Sequence, residues 1–376
     1  LQVAWKYYRD VKVKYAFKNR TKTVALADFI EEKDLRVELE HVRSLRFRDD
    51  EIEYLRTGVY TKDIFNEDFL DALKDLRLCD FKLECDGGIY KIEVDGTWPE
   101  AILWETMILG VVNELYYRSL ERNSWNDLTE IFREGDKRLS KKIWLLKQHP
   151  GIKFSDFGTR RRFSGPWQRH VVETLAKELP SQFIGTSNVL LAKELGLRPI
   201  GTFAHEMYMI FSGIFSGSEE EIKASHNKVL QIWWSEYGEK LSMALTDTYG
   251  TQFFFEDFTD EQALLWMGLR QDSGDPFEFG ERAIAFYQSK GIDPKMKVIV
   301  FSDGLDVETI VALYERFNGR IQVMFGWGTN LCNDLGFVAL SLVVKAIEAN
   351  GFGLVKLSDN TAKAMGDPGR VELFKK

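Results

Sequence analysis

From residue 152 onward the chain repeats one pattern: a short apolar run, a polar or glycine-rich end, then, mostly, a stretch of helical character. Such alternation specifies parallel strands joined by helices, because a parallel neighbour needs a crossover of a dozen or more residues and a helix makes it compactly. The runs end at residues 156–160 (DFGTR), 185–188 (GTSN), 201–205 (GTFAH), 246–247 (TD), 270–274 (RQDSG), 302–304 (SDG) and 326–329 (GWGT). In barrels of parallel strands the chemistry gathers at the carboxyl ends of the strands, and nearly every reactive residue of this region falls there. The expectation is an α/β fold with an irregular α/β barrel over residues 151–376.

Residues 1–150 read instead as an α+β domain with long helices. Residues 11–17 (VKVKYAF) alternate like a half-buried strand, and FKLEC-DGG-IYKIEV predicts a hairpin turning at Gly87 and Gly88. Pro99 suits a first helical turn, and residues 101–120 are apolar nearly all round, the pattern of a helix buried between domains or subunits. Charged helices are expected over residues 123–148. A chain of 376 residues exceeds what one core usually organises, which supports two domains.

Composition narrows the function. With 44% hydrophobic and 29% charged residues the chain is globular rather than disordered. A net charge of -8 argues against a general nucleic-acid binder, which must neutralise many phosphates, yet local basic groups can still hold a small anion. Cys79, Cys85 and Cys332 lack paired C-x-x-C spacing, so neither a disulfide framework nor a zinc ribbon is expected, and a reducing cytoplasm suits them. No apolar run approaches the roughly 20 residues that span a bilayer, and the first residues lack a signal peptide's apolar core. A soluble cytoplasmic protein is expected.

Asp247, Asp272 and Asp303 each follow an apolar run (SMALTD, LLWMGLRQD, VIVFSD), so strand ends aim all three at one mouth. Convergent carboxylates suit Mg²⁺ held largely through water and substrate phosphates; capping of the following helices is the competing role. Gly326, Gly328 and Thr329 in FGWGTN offer main-chain N–H groups to a phosphate, or simply a turn. Arg160 and Arg270 follow strand-like runs, where a guanidinium grips phosphate or carboxylate with two prongs. Phe157 offers a flat face to an aromatic ligand, or fills core. Among the five histidines only His205 ends a strand signal; a neutral imidazole there can attack phosphorus if Asp247 or Asp272 fixes its tautomer. His41, His149, His170 and His226 read as structural.

Read in order, DFGTRRRFS (156–164), FIGTSN (183–188), GTFAHE (201–206), LTD (245–247), LRQDSGDP (269–276), FSDGLD (301–306) and FGWGT (325–329) resemble the nicotinate phosphoribosyltransferase family. The likeness extends to LWE at 103–105. It implies a homodimer with active sites at the subunit interface, joining nicotinate to phosphoribosyl pyrophosphate to give nicotinate mononucleotide and pyrophosphate, with ATP hydrolysis coupled through a phosphohistidine at His205. It further implies that Phe157 stacks on the pyridine ring, that Arg160 and Arg270 contact substrate, and that Asp247 and Asp272 organise ribose, Mg²⁺ or the histidine. Asp303 would hold the ribose, and Gly326, Gly328 and Thr329 its 5′-phosphate.

Two positions depart from the family pattern. Relatives carry a D-x-Y motif ahead of the region where this sequence starts, and Gln271 stands where many have histidine. The amide-specific branch carries an aspartate at the position of Ser187, so the serine favours nicotinate over nicotinamide. Quinolinate, doubly anionic, calls for a denser basic pocket. A non-catalytic phosphosugar-binding barrel has no use for a phosphorylatable histidine, and a zinc hydrolase needs more histidine ligands than the strand ends supply.

Overall fold

The computed structural model describes residues 1–123, 128–360 and 364–375. Its contacts divide the chain into two compact units, each assembled from three segments. The first comprises Leu1–Lys147, Asp156–Ile200 and Gly328–Lys345; the second comprises Gln148–Ser155, Gly201–Trp327 and Ala346–Lys376.

The strands used below are β1 (Lys12–Asn19), β2 (Phe81–Asp86), β3 (Ile89–Thr97), β4 (Phe154–Asp156) and β5 (Phe183–Thr186). They continue as β6 (Met243–Leu245), β7 (Gly268–Gln271), β8 (Val298–Phe301), β9 (Gln322–Trp327), β10 (Leu342–Ala349) and β11 (Phe352–Gly353). The fold is mixed α/β, and the alternation read from residue 152 is present as a parallel sheet.

In the first unit β1, β3 and β2 form an antiparallel sheet, with Tyr15 opposite Val94 and Leu83 opposite Ile92. Val13, Tyr15, Phe17, Ile92 and Val94 are buried, as the alternation requires. The β2–β3 hairpin turns at Gly87 and Gly88, with φ of 55° and 80°, a pair of left-handed residues whose twist matches the flanking strands. The apolar stretch expected as one helix is split: Trp98–Ala101 is a first turn with Pro99 near its start, and a separate helix runs Trp104–Asn123. Trp104, Ile108, Leu109, Val112, Tyr116 and Tyr117 of that helix are buried. A single charged helix, Leu128–Lys147, follows, and residues 124–127 of the expected charged helices lie outside the described residues.

In the second unit the strand order is β4-β9-β8-β7-β6. Parallel pairing sets Leu245 beside Arg270, Arg270 beside Val300, and Val300 beside Met324. Helices Pro276–Ser289 and Val307–Phe317 provide the crossovers after β7 and β8. Among the described residues no helix is long and apolar enough to cross a membrane.

Gly268 opens β7 because nothing larger fits: a Cβ there would lie 1.9 Å from the Val298 carbonyl oxygen on β8. The obstacle is backbone and cannot rotate aside. Gly268→Ala should therefore destabilise the protein by about 2 kcal/mol or more, read as a lower denaturant midpoint. An unchanged midpoint would show that β7 and β8 do not approach this closely.

Candidate active site

The register of β6, β7 and β8 brings their carboxyl ends to one edge, and the side chains just beyond meet there. Asp247 lies two residues past Leu245, Asp272 two past Arg270, and Ser302 two past Val300, so all three stand at one level of the sheet. His205 joins them as the first residue of the helix His205–Ile214. One ligand atom from each of His205, Asp247 and Asp272 lies within 4.8 Å of the others.

The ring of His205 is buried and fixed at both nitrogens. Nδ1 is 2.9 Å from Thr248 Oγ1, and Nε2 is 2.9 Å from Asp272 Oδ2 and 3.7 Å from Asp247 Oδ1. Lys356 Nζ is 2.8 Å from the same Nε2 and 3.6 Å from Asp247 Oδ2. Burial pushes the imidazole down to about 4, helped by the ammonium of Lys356, while Asp247 and Asp272 pull the other way. The ring is thus neutral near pH 7, the form that carries a nucleophilic electron pair.

Arg270 is held three ways: Nε donates to Ser302 Oγ at 2.8 Å, Nη1 to Thr202 Oγ1 at 2.6 Å, and Nη2 to Asp272 Oδ1 at 2.9 Å. Burial would raise the Asp272 carboxyl, yet the Arg270 guanidinium beside it holds it well below the usual carboxylate range. Ser302 Oγ also lies 3.0 Å from Asp272 Oδ1. Asp247 is buried, with Oδ2 accepting from Ser273 Oγ at 2.5 Å and Oδ1 lacking any hydrogen-bond partner among the described residues.

Asp303 stands at the same edge, one residue past Ser302, but is not part of the three-residue group. Gln271 faces away from Arg270 and Asp272, as strand alternation dictates; its amide donates to the carbonyls of Ser273 and Gly274 at 2.9 and 3.2 Å. Gly326 lies within β9 rather than in a loop, beside buried Trp327, whose indole N–H donates to Leu305 O at 3.0 Å.

The remaining candidates belong to the first unit. Ser187 Oγ is 2.7 Å from Thr159 Oγ1, which ties the GTSN end to the DFGTR turn. Asp156 anchors that turn, accepting from Thr186 Oγ1 at 2.6 Å, Gln168 Nε2 at 2.8 Å, Gly158 N at 2.6 Å and the Cys332 thiol at 3.1 Å. Phe157 and Arg160 are half-buried on the turn. The guanidinium of Arg160 is paired with Glu105, and Lys345 Nζ reaches the same carboxylate at 3.3 Å. Gly328 lies close to this turn, since a Cβ on it would sit 3.4 Å from the Phe157 carbonyl oxygen, and Thr329 begins the short helix Thr329–Cys332.

Four histidines serve elsewhere. His226 is buried, bonds Asp257 at 2.5 Å and stacks on Tyr208; His170 pairs with Asp136 at 2.7 Å; His149 approaches Glu315; exposed His41 lies near the end of a helix. Sequence reasoning missed Lys356, Thr248, Ser302 and Glu105 as partners. The signal for Lys356 was a lone lysine inside the apolar run FGLVKLSD, and for Glu105 a carboxylate inside an apolar helix.

The strand ends of this parallel α/β sheet gather a buried histidine, two carboxylates and a fixed arginine, a group with the charges to meet an anionic ligand. Likeness to known proteins narrows the class. Residues 152–376 match the model of the nicotinate phosphoribosyltransferase (NAPRTase) family, and residues 1–113 match that family's N-terminal domain. The chain belongs to the nicotinate phosphoribosyltransferase family, and it has the separate N-terminal domain of that family. It is similar over its whole length to a nicotinate phosphoribosyltransferase structure from Vibrio cholerae, at 32% identity, TM-score 0.88 and 89% of that chain covered. A Porphyromonas gingivalis nicotinate phosphoribosyltransferase matches at 31% identity and TM-score 0.87, over 99% of this chain and 94% of that one. A putative nicotinate phosphoribosyltransferase from Saccharomyces cerevisiae matches at 28% identity and TM-score 0.84, over 100% and 94%.

The depressed value at His205 sets a stability test. Above pH 6.5 the ring is neutral in both folded and unfolded chains; between 6.5 and about 4 the unfolded ring takes up a proton that the folded one refuses. Stability is complete above this window and falls as pH drops through it, by about 3 kcal/mol for this group. Denaturant titrations at about pH 7.5 and about pH 4.5 should show a smaller loss for His205→Gln than for wild type. Equal losses would remove the burial of a neutral ring as the cause.

Proposed function

We propose that the chain transfers the phosphoribosyl group of phosphoribosyl pyrophosphate to nicotinate, releasing nicotinate mononucleotide and pyrophosphate in NAD biosynthesis, with ATP hydrolysis coupled through a phosphohistidine at His205. Family membership supports the transfer. The observation that carries the coupling is the neutral His205 ring, buried between Asp247 and Asp272 with partners on both nitrogens. Residues 151–376 act as the catalytic domain, and the active form is a homodimer with its sites at the subunit interface.

Breaking the anomeric C–O bond builds positive character on the ribose while negative charge grows on departing pyrophosphate. Asp247, Asp272 and Asp303 stabilise the ribose, and Arg270, already aimed by Ser302, Thr202 and Asp272, stabilises anionic oxygens. The pyridine nitrogen attacks with its own electron pair, so no general base is required. Phe157 supplies the ring's stacking face, Arg160 and Arg270 contact substrate, and Gly326, Gly328 and Thr329 take the 5′-phosphate.

The donor set at His205 fits Mg²⁺ held mainly through water. The buried Asp247 Oδ1 lacks a hydrogen-bond partner among the described residues, and oxygen donors suit this hard cation, whereas the Lys356 ammonium nearby leaves little room for close ligation by all three groups. Asp247 and Asp272 would hold the ion, which supplies charge stabilisation for pyrophosphate oxygens.

Ser187 and the cations Arg160 and Arg270 favour a carboxylate over an amide. Assayed separately with phosphoribosyl pyrophosphate, with and without ATP, nicotinate should exceed nicotinamide in kcat/KM by at least roughly tenfold. Comparable values would sink the assignment. Asp272→Asn should lower turnover by at least roughly tenfold in protein that still folds, as a cooperative melt would show, because a charged partner of both His205 and Arg270 is lost. Wild-type turnover in that variant would show that this carboxylate plays no part.

A further inference from the structure

We propose that Lys356 is a positioning residue for phosphorylation of His205, capping the Nε2 electron pair in the resting protein and passing to phosphate oxygens when ATP arrives. The inference rests on the reading of His205 as the phosphate acceptor.

Lys356 is buried and delivered by a fixed backbone, not swung in from the surface. Its own N–H donates to Met365 O at 3.0 Å, and the next N–H, of Leu357, donates to Thr248 O at 2.9 Å. Two residues on, the Asp359 carboxylate accepts from Thr251 N at 2.8 Å and Thr251 Oγ1 at 2.5 Å, while Asp359 N–H donates to Ser273 Oγ at 3.1 Å. The segment is thus laced to the loops that follow β6 and β7. These bonds place the ammonium 2.8 Å from His205 Nε2.

Asp272 Oδ2 competes for the same nitrogen at 2.9 Å. One ring nitrogen accepts from an ammonium or donates to a carboxylate, never both at once. With Lys356 engaged, the Nε2 pair is occupied and the ring proton sits on Nδ1, facing Thr248 Oγ1 at 2.9 Å. No nucleophilic pair is then open. If Nε2 is to attack, the ammonium must release it; if Nδ1 is to attack, Nε2 must carry the proton towards Asp272, and the ammonium blocks that tautomer. Both routes require Lys356 to move.

An incoming polyphosphate supplies the destination. Without Lys356 it would meet the carboxylates of Asp247 and Asp272, and the nearby Arg270 is already bonded to Asp272. In the step itself a nitrogen pair of the neutral ring forms the bond to the γ-phosphorus. The phosphorus–oxygen bond to ADP breaks and its pair leaves with ADP. The ring becomes an imidazolium bearing a doubly negative phosphoryl group, so the total charge is conserved while His205 goes from neutral to one net negative. Lys356 is placed to balance that charge.

The test labels the protein with ATP carrying radioactive γ-phosphate and follows acid-labile label, with thermal melting to confirm folding. Wild type should be labelled and His205→Ala should not. Lys356→Met should be labelled at least about tenfold more slowly, with a raised KM for ATP, and Lys356→Arg, which keeps the charge, should recover part of the rate. The KM for nicotinate should move by less than about twofold, whereas a general disturbance of the fold would raise both KM values. Should Lys356→Met fail to fold, Lys356→Gln replaces it, with the same slowing and the same split between the two KM values expected. Labelling of the Lys356 variant at the wild-type rate, or parallel rises in both KM values, overturns the role of Lys356. Absence of label from wild type overturns the phosphohistidine reading itself, and the inference with it.

Discussion

The parallel register of β6, β7 and β8 is the constraint on which the rest of the site depends. Side chains alternate along a strand, so residues two apart share a face, and parallel pairing puts equivalent residues of neighbouring strands side by side. Leu245 beside Arg270 beside Val300 therefore places Asp247, Asp272 and Ser302 at one level. A slip of one residue in β7 would turn Arg270 and Asp272 away and bring Gln271 forward. The glycine at the start of β7 is part of the same constraint, since only a residue without Cβ lets β7 lie this close to the Val298 carbonyl.

Once the strand ends are gathered, charge compensation decides their chemical state. Asp247 and Asp272 are matched by Lys356 and Arg270, so the buried group can be neutral overall with an uncharged imidazole at its centre. Removing any one charge leaves its partner buried and unpaired, an arrangement far costlier than the pair itself. Asp156 in the first unit shows the contrasting case. One of its carboxylate oxygens accepts from Gly158 N and the Cys332 thiol, the other from Gln168 and Thr186, which consumes its bonding capacity in holding the turn. Asp247 keeps one oxygen without a hydrogen-bond partner among the described residues, a capacity that Asp156 has spent.

The repeating α/β pattern, the β2–β3 hairpin and the grouping of His205 with Asp247 and Asp272 were legible because each has a local signal. Strand runs ended in polar residues, Gly87 and Gly88 marked a turn, and the motifs stood in family order. What was illegible depends on tertiary placement. The lone lysine in FGLVKLSD signals a buried cation but not its partner, since the Lys356 ammonium meets His205, 151 residues away in the chain. The break between the Trp98–Ala101 turn and the Trp104–Asn123 helix was hidden because its residues are apolar and compatible with continuous helix. FGWGTN read as a glycine loop, although Gly326 extends β9, because glycine permits a strand as readily as a turn and only the neighbouring strand decides.

The same logic of charge applies in the first unit, around Ser187. In the first unit one buried carboxylate, Glu105, faces two cations, Arg160 and Lys345. Burial disfavours its ionised form, yet Lys345 and Arg160 hold its carboxyl below the ordinary range, so the trio keeps one net positive charge. Ser187, bonded to Thr159 on the turn that carries Arg160, adds no charge to this balance. An aspartate at that position would cancel the excess, whereas the serine leaves the positive charge in place. Under the proposed function, selectivity between an acid and its amide would follow from the sign of the charge this turn retains, with the shape of the pyridine ring common to both.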